Sequence, residues 1–353
     1  MKLFNCGRCG QLLFFENTVC GRCGTRIGYL AESSQLVAVD PLGGDAWRPV
    51  GWTGDGYRFC DNAADQACNW LVPEFARERF CLACRHNRVI PELRPDTIVP
   101  WQRTQTAKNR LFYSLIRLGL PRLSRAEDPQ HGLAFDVLEE RAADGCKVLT
   151  GHEDGLITLN LREADDVERE RVRSRLGEFY RTMLGHMRHE VGHYYWDVLV
   201  QRGGRLDDFR ALFGDEREDY AGALQRHYAK TRTLEWTGRF ISDYASSHPW
   251  EDFAETWAHY LHIVDTLETA RSFGLRLGPE PGLGLESADF DFDPYGNAGL
   301  PQMIAAWGPL AVSANGLNRS MGQPDLYPFV LYGPVVEKLA FVHELVHPAG
   351  PGG

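Results

Sequence analysis

The segment His189-Glu190-Val191-Gly192-His193 carries the pattern H-E-x-x-H. On a helix, residues four apart share a face, so His189 and His193 can bind one zinc ion together. Zinc lowers the pKa of a bound water to about 7, and Glu190, which lies beside that face, could then take a proton from this water. The pattern therefore predicts a zinc centre that activates water for hydrolysis.

Acidic residues in a later segment, residues 241–263, could complete this centre. The segment reads ISDYASSHPWEDFAETWAHYLHI and contains Glu251 and Glu255. On a helix these two residues lie one turn apart, so one could be the third ligand while the other supports a ligand histidine. Their spacing alone does not decide between them. His186, three residues before His189, shares the helix face of the two histidines and is a further candidate.

A second H-E-x-x-H pattern occupies residues 343–347. Pro348 follows it directly, and the apolar residues before and within it recur at helical spacing. These residues are Val335, Leu339, Val342 and Val346. The stripe predicts an amphipathic packing helix in place of a second zinc site.

Eight of the nine cysteines lie in the first 84 residues, and four of them form the pattern C-x2-C-x10-C-x2-C. Two such knuckles can place four sulfurs around one zinc ion, and the glycine after each cysteine permits the tight turns. A pair of redox-active cysteines is the alternative. We predict a structural zinc site formed by Cys6, Cys9, Cys20 and Cys23.

The next four cysteines form the looser pattern C-x7-C-x12-C-x2-C, in which only the last half is a standard knuckle. Buried free thiols are the alternative interpretation. Because no other cysteines lie nearby to pair with them, we predict a second structural zinc site. Its ligands would be Cys60, Cys68, Cys81 and Cys84, and the remaining Cys146 is expected to be a small core residue.

Charge and composition restrict the partners. The 353 residues are 43% hydrophobic and 24% charged, as in ordinary globular proteins, and the formal net charge is −10. Residues 1–95 contain eleven Lys/Arg and ten Asp/Glu without a basic patch. These values argue against nucleic-acid binding. We expect the cysteine modules to stabilise the fold or to bind a protein partner.

No apolar run is long enough for a transmembrane helix, so we expect no membrane association. The N-terminal stretch MKLFNCGRCGQLLFF contains two cysteines before any apolar run and does not have the form of a signal peptide. We therefore expect a cytoplasmic protein.

Periodicity predicts the elements that position these residues. Residues 155–161 alternate as in a half-exposed strand, and glycine and proline make residues 274–301 an irregular loop. Helices are expected over residues 106–119, over residues 165–203 as one long helix or a broken pair, and over residues 250–272.

Several segments resemble the gluzincin class of zinc metallopeptidases. Nearly the whole chain is similar to bacterial zinc-binding metallopeptidases that carry an N-terminal zinc ribbon. The matching segments are the cysteine array, ITLNLREADD, YRTMLGHMRHEVGHYYW, EDFAETWAHYLHI and NRSMGQPDLYPF. The resemblance implies a zincin fold and peptidase activity, without a defined substrate.

The resemblance also implies roles in the second segment. Glu251 would be the third zinc ligand, Glu255 would hydrogen-bond a zinc-bound histidine, and Tyr244 would donate to the developing oxyanion. With Glu255 as the ligand, His248 and His259 would take the places of the tyrosine and the second carboxylate. His259 lacks the negative charge that raises the basicity of a ligand histidine, which favours Glu251.

We predict an α+β protein with two domains. Residues 1–95 would form a double four-cysteine zinc-ribbon domain, and residues 96–353 a mainly helical, zincin-like metallopeptidase domain with a small sheet. Three zinc ions are expected, one catalytic and two structural. The predicted function is peptide-bond hydrolysis by water that Glu190 activates, with the strand at residues 155–161 pairing with an extended peptide substrate.

Two other functions remain open at this point. One is a zinc amidohydrolase that acts on a small peptide-like metabolite. The other is an adaptor that binds a protein through its zinc ribbons while the zincin domain is nearly inactive.

Overall fold

The computed structural model describes residues 1–140, 147–176, 182–229, 234–296 and 298–348. The chain divides into two compact units, Met1–Val172 and Arg173–Gly353. Strands dominate the first unit and helices the second, which confirms the predicted α+β class. The predicted domain boundary at residue 95 stays a prediction. Cys146 lies outside the described residues.

The N-terminal unit begins with two antiparallel sheets. Strands β1 (Phe4–Asn5) and β2 (Leu12–Leu13) form a two-stranded ribbon. A second sheet has its strands in sequence order, and Leu30, Val39 and Leu71 form its buried core. Its strands are β3 (Arg26–Leu30), β4 (Gln35–Gly43), β5 (Ala46–Pro49), β6 (Tyr57–Phe59) and β7 (Leu71–Pro73).

A mixed four-stranded sheet completes this unit, with helix α1 (Ile98–Arg117) in the chain connection between its first two strands. The strand order is β10-β11-β9-β8. The strands are β8 (Asn87–Val89), β9 (Ala134–Leu138), β10 (Gly151–Glu153) and β11 (Leu156–Asn160).

Strand β11 confirms the predicted strand but not its predicted use. It pairs with β9 in parallel on one side and with β10 in antiparallel fashion on the other. The expectation that residues 155–161 pair with a peptide substrate is wrong, because an interior strand has no free edge for a further strand.

The C-terminal unit is built from helices. Helix α2 (Asp166–Leu176) crosses the division between the units. The following helices are α3 (Met183–Tyr195), α4 (Leu206–Phe213), α5 (Tyr220–Ala229), α6 (Pro249–Ser272), α7 (Leu300–Ser320) and α8 (Gly333–Val346). Before α7, the described residues of the predicted loop after α6 form just two short strands, β12 (Arg276–Leu277) and β13 (Ala288–Asp289). No helix among the described residues combines the length and apolar character needed to cross a bilayer.

The predicted long helix over residues 165–203 is a broken pair. Helix α2 is described as far as Leu176, residues 177–181 lie outside the described residues, and the backbone of Thr182 before α3 is extended, which separates the two helices. Helix α3 then continues into one π-helical turn, Trp196–Gln201. The predicted helix over residues 250–272 is present as α6.

Helices α3 and α6 pack against each other along the centre of the unit. The rings of Tyr195 and Trp257 stack with their centroids 4.8 Å apart. At Gly192 the helices come so close that an added Cβ would lie 3.0 Å from Cα of Ala254 and 3.3 Å from Cβ of Trp257. A methyl group at this position would therefore press against the backbone of α6.

The second H-E-x-x-H forms the end of α8. The four apolar residues of its predicted stripe are all buried, as a packing helix requires. The ring of His343 is bonded through Nδ1 to the hydroxyl of Tyr260 on α6, at 2.9 Å. Lys338 adds a buried link, because its Nζ donates to Oδ2 of Asp252 at 2.6 Å.

Replacing Gly192 with alanine should lower the free energy of unfolding. Forcing a methyl group into a packed contact costs about 1–3 kcal/mol, and the better helix propensity of alanine returns at most about 1 kcal/mol. Gly316→Ala is the matched control, because Gly316 lies inside α7 with nothing within 4 Å of the added methyl group. The control should gain about 0.5–1 kcal/mol. Urea unfolding of both variants measures the difference, and a Gly192→Ala variant as stable as the control would contradict the close contact.

Candidate functional site

Helix α3 places both histidines of the first H-E-x-x-H on a buried face. The helix starts after Thr182, whose hydroxyl accepts a hydrogen bond from the backbone N–H of Gly185 at 2.9 Å. His189 and His193 are only 7% and 4% exposed, and their ring centroids lie 4.9 Å apart. The four-residue spacing therefore brings two imidazoles together away from solvent.

Glu251 meets these histidines from the first turn of α6. The side chain of His248 caps that helix by accepting a hydrogen bond from the N–H of Trp250 at 3.1 Å. Oε2 of Glu251 lies 2.9 Å from Nε2 of His189 and 3.5 Å from Nε2 of His193. One ligand atom from each of the three residues lies within 4.8 Å of the others.

This set of atoms fits a zinc ion. Two ligands at about 2.0–2.1 Å from a tetrahedral zinc lie roughly 3.3 Å apart, close to the distances between the Nε2 atoms and the carboxylate oxygen. Oε2 of Glu251 is also buried, and among the described residues it has no polar partner other than these two ring nitrogens. A buried carboxylate oxygen that faces two ring nitrogens is the environment that a cation would satisfy. Two imidazoles and one carboxylate are a common catalytic zinc set.

Glu255 contacts the same histidine on its other nitrogen. Its Oε1 lies 2.8 Å from Nδ1 of His189, and its Oε2 accepts a hydrogen bond from the hydroxyl of Ser242 at 2.6 Å. With its proton on Nδ1, His189 presents Nε2 toward Glu251 and His193. The two carboxylates, which spacing could not tell apart, therefore lie on opposite sides of one imidazole.

The charges in this cluster perturb each other strongly. Burial acts to lower the pKa of His189, but the carboxylates of Glu251 and Glu255 outweigh burial and hold that pKa well above its usual value. Burial acts to raise the pKa of Glu251, but His193 and His189 hold it well below its usual value. Without metal, the cluster therefore retains a proton between ring and carboxylate, and metal binding would release it.

Glu190 is buried beside the three ligand atoms without being one of them. Its Oε1 lies 3.1 Å from Nε2 of His186. Burial acts to raise the pKa of Glu190, but the contact with His186 and the charges of His189 and His193 together outweigh burial and lower that pKa. His186 thus contacts Glu190, and it does not belong to the group of three ligand atoms.

Two tyrosines lie at the cluster, and only one of them was predicted from the sequence. The ring centroid of Tyr244 lies 5.8 Å from that of His189, in a short 3-10 turn before α6. Tyr220, at the start of α5, donates a hydrogen bond from its hydroxyl to Oε1 of Glu251 at 2.5 Å. No sequence pattern marks Tyr220, because it reaches the site from a separate helix at no recognised spacing.

The first four cysteines converge beside the β1–β2 ribbon. The Sγ–Sγ distances are 3.6 Å and 3.8 Å for two of the pairs, near the roughly 3.8 Å expected around a tetrahedral zinc. Of the four glycines that follow these cysteines, only Gly10 and Gly24, after the second cysteine of each knuckle, adopt a positive φ. The sulfurs that lie within 4.8 Å of one another are those of Cys6, Cys9, Cys20 and Cys23.

The second four cysteines also converge, and all of them are buried. Backbone N–H groups donate to three of the sulfurs at 3.4 Å, an arrangement that stabilises thiolates. One Sγ–Sγ distance is 3.7 Å. The sulfurs within 4.8 Å of one another belong to Cys60, Cys68, Cys81 and Cys84.

Helix α1 supplies part of the surroundings of this second cysteine cluster. Nδ2 of Asn109 lies 3.8 Å from Sγ of Cys68. Lys108 is fully buried, and its ammonium group is hydrogen-bonded to Oδ1 of Asn87. Burial lowers the pKa of Lys108, whereas the neighbouring cysteines, Cys84 foremost, oppose that effect. With zinc bound, this buried ammonium group would offset part of the negative charge of the four thiolates.

His343 and His347 lie outside all three groups of clustered ligand atoms found among the described residues. The sequence prediction placed no metal there. Glu344, between them, forms an ion pair with Arg205 at 3.2 Å.

Comparison with known proteins identifies two families. A family described as "Putative zinc-binding metallo-peptidase" matches residues 97–345, and a family described as "zinc-ribbon domain" matches residues 3–95. Proteins of Mycobacterium bovis and of two strains of Mycobacterium tuberculosis, described only as uncharacterized, are each 42% identical over 358 aligned residues. These alignments cover 99% of this chain and 97% of each relative. No solved structure matches. The chain therefore belongs to this zinc-binding metallo-peptidase family and carries an N-terminal zinc-ribbon domain.

Proposed function

We propose that the chain is a zinc peptidase that hydrolyses peptide bonds. The main support is the buried meeting of His189 Nε2, His193 Nε2 and Glu251 Oε2, with a further buried carboxylate, Glu190, beside it. These three atoms would hold the catalytic zinc. Zinc bound there would polarise a substrate carbonyl as a Lewis acid and make water a nucleophile at neutral pH.

Glu190 is the general base in this proposal. Its carboxylate takes a proton from the attacking water and later gives that proton to the leaving amine. The position of Glu190 supports this role, because the residue follows His189 directly and is not one of the three converging ligand atoms. The contact with His186 holds one carboxylate oxygen in place.

Glu255 and Tyr244 are assigned supporting roles. Glu255 accepts a hydrogen bond from the N–H group at Nδ1 of His189. This hydrogen bond orients the ring and raises the basicity of Nε2. Tyr244, whose ring faces that of His189, would donate its hydroxyl to the oxyanion that forms from the substrate carbonyl.

The two cysteine clusters are proposed as structural zinc sites. Each offers four sulfurs at tetrahedral spacing, which leaves no position for a substrate. The N-terminal zinc ribbon would stabilise the fold or bind a protein partner, and the substrate would be a peptide or protein.

Glu190→Gln should abolish most turnover while zinc binding stays native. Glutamine keeps the size of the side chain but cannot accept the proton, so the rate should fall by about 10²-fold or more. An unbiased peptide-library digest by the native protein, run beside a set of small amides, first identifies the substrate class. The variant is then assayed on the best substrate. Native rates in Glu190→Gln would contradict the mechanism. If the native protein cleaved the small amides but no peptide, the result would favour an amidohydrolase.

The two carboxylates of α6 should differ in their effect on the catalytic zinc. Glu251→Gln removes a proposed ligand, so tight binding should be lost. Glu255→Gln removes only a hydrogen-bond acceptor of a ligand, so affinity should fall by about 10–100-fold. Competition with a chelator measures both variants, and each is the size-matched control of the other. If Glu255→Gln lost more zinc affinity than Glu251→Gln, then Glu255 would be the zinc ligand and Glu251 the residue that supports a ligand histidine.

Metal analysis should find three zinc ions per chain. His189→Ala should reduce the count to two, since the two cysteine sites keep their metal. His343→Ala is the matched control because it changes a histidine of the other H-E-x-x-H, and it should retain three. A control variant with two ions would place the catalytic metal on α8.

A further inference from the structure

The two oxygens of Glu251 have separate partners. Oε2 faces the Nε2 atoms of His189 and His193, whereas Oε1 accepts a hydrogen bond from the hydroxyl of Tyr220 at 2.5 Å. Glu251 is only 1% exposed, so water hardly competes with these partners for either oxygen. The Tyr220 hydroxyl therefore contacts the oxygen that does not face the two ring nitrogens.

Tyr220 is held in this position by aromatic contacts at the start of α6. Its ring packs edge-on against His248, with centroids 5.1 Å apart, and against Trp250, with centroids 5.9 Å apart. His248 accepts the capping hydrogen bond of α6 on Nδ1, so its Nε2 carries the proton that is donated to the carbonyl of Glu218 at 3.2 Å. The beginnings of α5 and α6 are thus joined beside the carboxylate.

We infer that Tyr220 is a positioning residue for the metal ligand Glu251: its hydroxyl occupies one carboxylate oxygen so that Glu251 binds zinc through the other oxygen alone. The inference rests on the proposed zinc site. A carboxylate that binds through one oxygen occupies one position on the metal, and a carboxylate that binds through both occupies two. By engaging Oε1, Tyr220 keeps a position open for water or a substrate carbonyl.

Replacement of Tyr220 by phenylalanine isolates the hydroxyl. The phenylalanine ring can retain the contacts with His248 and Trp250, so packing is preserved. Oε1 of Glu251 then loses its donor in a buried place, and the carboxylate becomes free to turn its second oxygen toward the metal. Loss of a partner of this kind weakens metal binding by about 10–100-fold.

The test uses the full-length protein and two readouts that need no substrate. Chelator competition measures the affinity of the catalytic zinc, and the visible spectrum of the Co²⁺-substituted catalytic site reports the coordination number. Tyr220→Phe should lose about 10–100-fold in affinity and show a weaker, shifted Co²⁺ absorption, as expected when a second oxygen binds. The lost hydrogen bond should lower the unfolding temperature of the metal-free protein, but the retained ring contacts should keep that protein folded at the temperature of the affinity measurement.

Two variants serve as comparisons. Tyr228→Phe removes a hydroxyl from the same helix at a side chain that is 59% exposed, and it should keep native affinity, spectrum and turnover. Tyr244→Phe should also keep native affinity and spectrum but lose turnover, because its proposed partner is the substrate.

Native affinity and spectrum in Tyr220→Phe would overturn the inference. So would a loss of affinity in a variant whose metal-free form is already unfolded at the temperature of the measurement, since that result assigns Tyr220 to the fold alone. Failure of the proposed function is recognised separately: Glu190→Gln would then keep native turnover, whereas the metal affinity of Tyr220→Phe would still be reduced.

Discussion

The close contact between helices α3 and α6 is the constraint on which the proposed metal centre depends. Gly192 has no side chain, so α6 approaches until Ala254 lies against it. Gly192 is the neighbour of His193, and Ala254 lies one helical turn after Glu251, on the same side of α6. The contact that packs the two helices therefore also places the Glu251 carboxylate against His189 and His193. A wider separation would leave the histidines together on α3 and the carboxylate out of reach.

Charge balance then decides what the site can hold. Glu190, Glu251 and Glu255 are carboxylates in a small region, of which the first two are almost fully buried. Buried charges need partners, and here each carboxylate has a specific one: Glu190 contacts His186, Glu255 contacts His189, and Oε1 of Glu251 contacts Tyr220. Among the described residues, Oε2 of Glu251 has only two ring nitrogens as polar partners. A divalent cation would satisfy that atom and both nitrogens together.

The two cysteine clusters differ in how they relate to their surroundings. The first forms within a short stretch of chain beside a two-stranded ribbon, and Cys23 in it is exposed. The second is buried throughout and is contacted by side chains of α1, including the buried Lys108 near its sulfurs. Metal bound at the second cluster would therefore stabilise the packing of α1 as well as the cysteine loops themselves.

The sequence by itself determined those parts of the protein in which the interacting residues are close along the chain. The cysteine knuckles, the pair His189 and His193, helix α6 and the strand β11 were all predictable, because backbone geometry relates residues a few positions apart in a fixed way. Three features depend on the tertiary structure. Helical spacing did not separate Glu251 from Glu255, whose roles were assigned only through the family resemblance, and it is the packing of α6 on α3 that places the first at Nε2 and the second at Nδ1 of His189. The contact of Tyr220 with Glu251 joins two helices at no characteristic spacing. The neighbours that close both edges of β11 come from other parts of the chain. Each of these depends on how separate elements pack, and local sequence patterns carry no information about that packing.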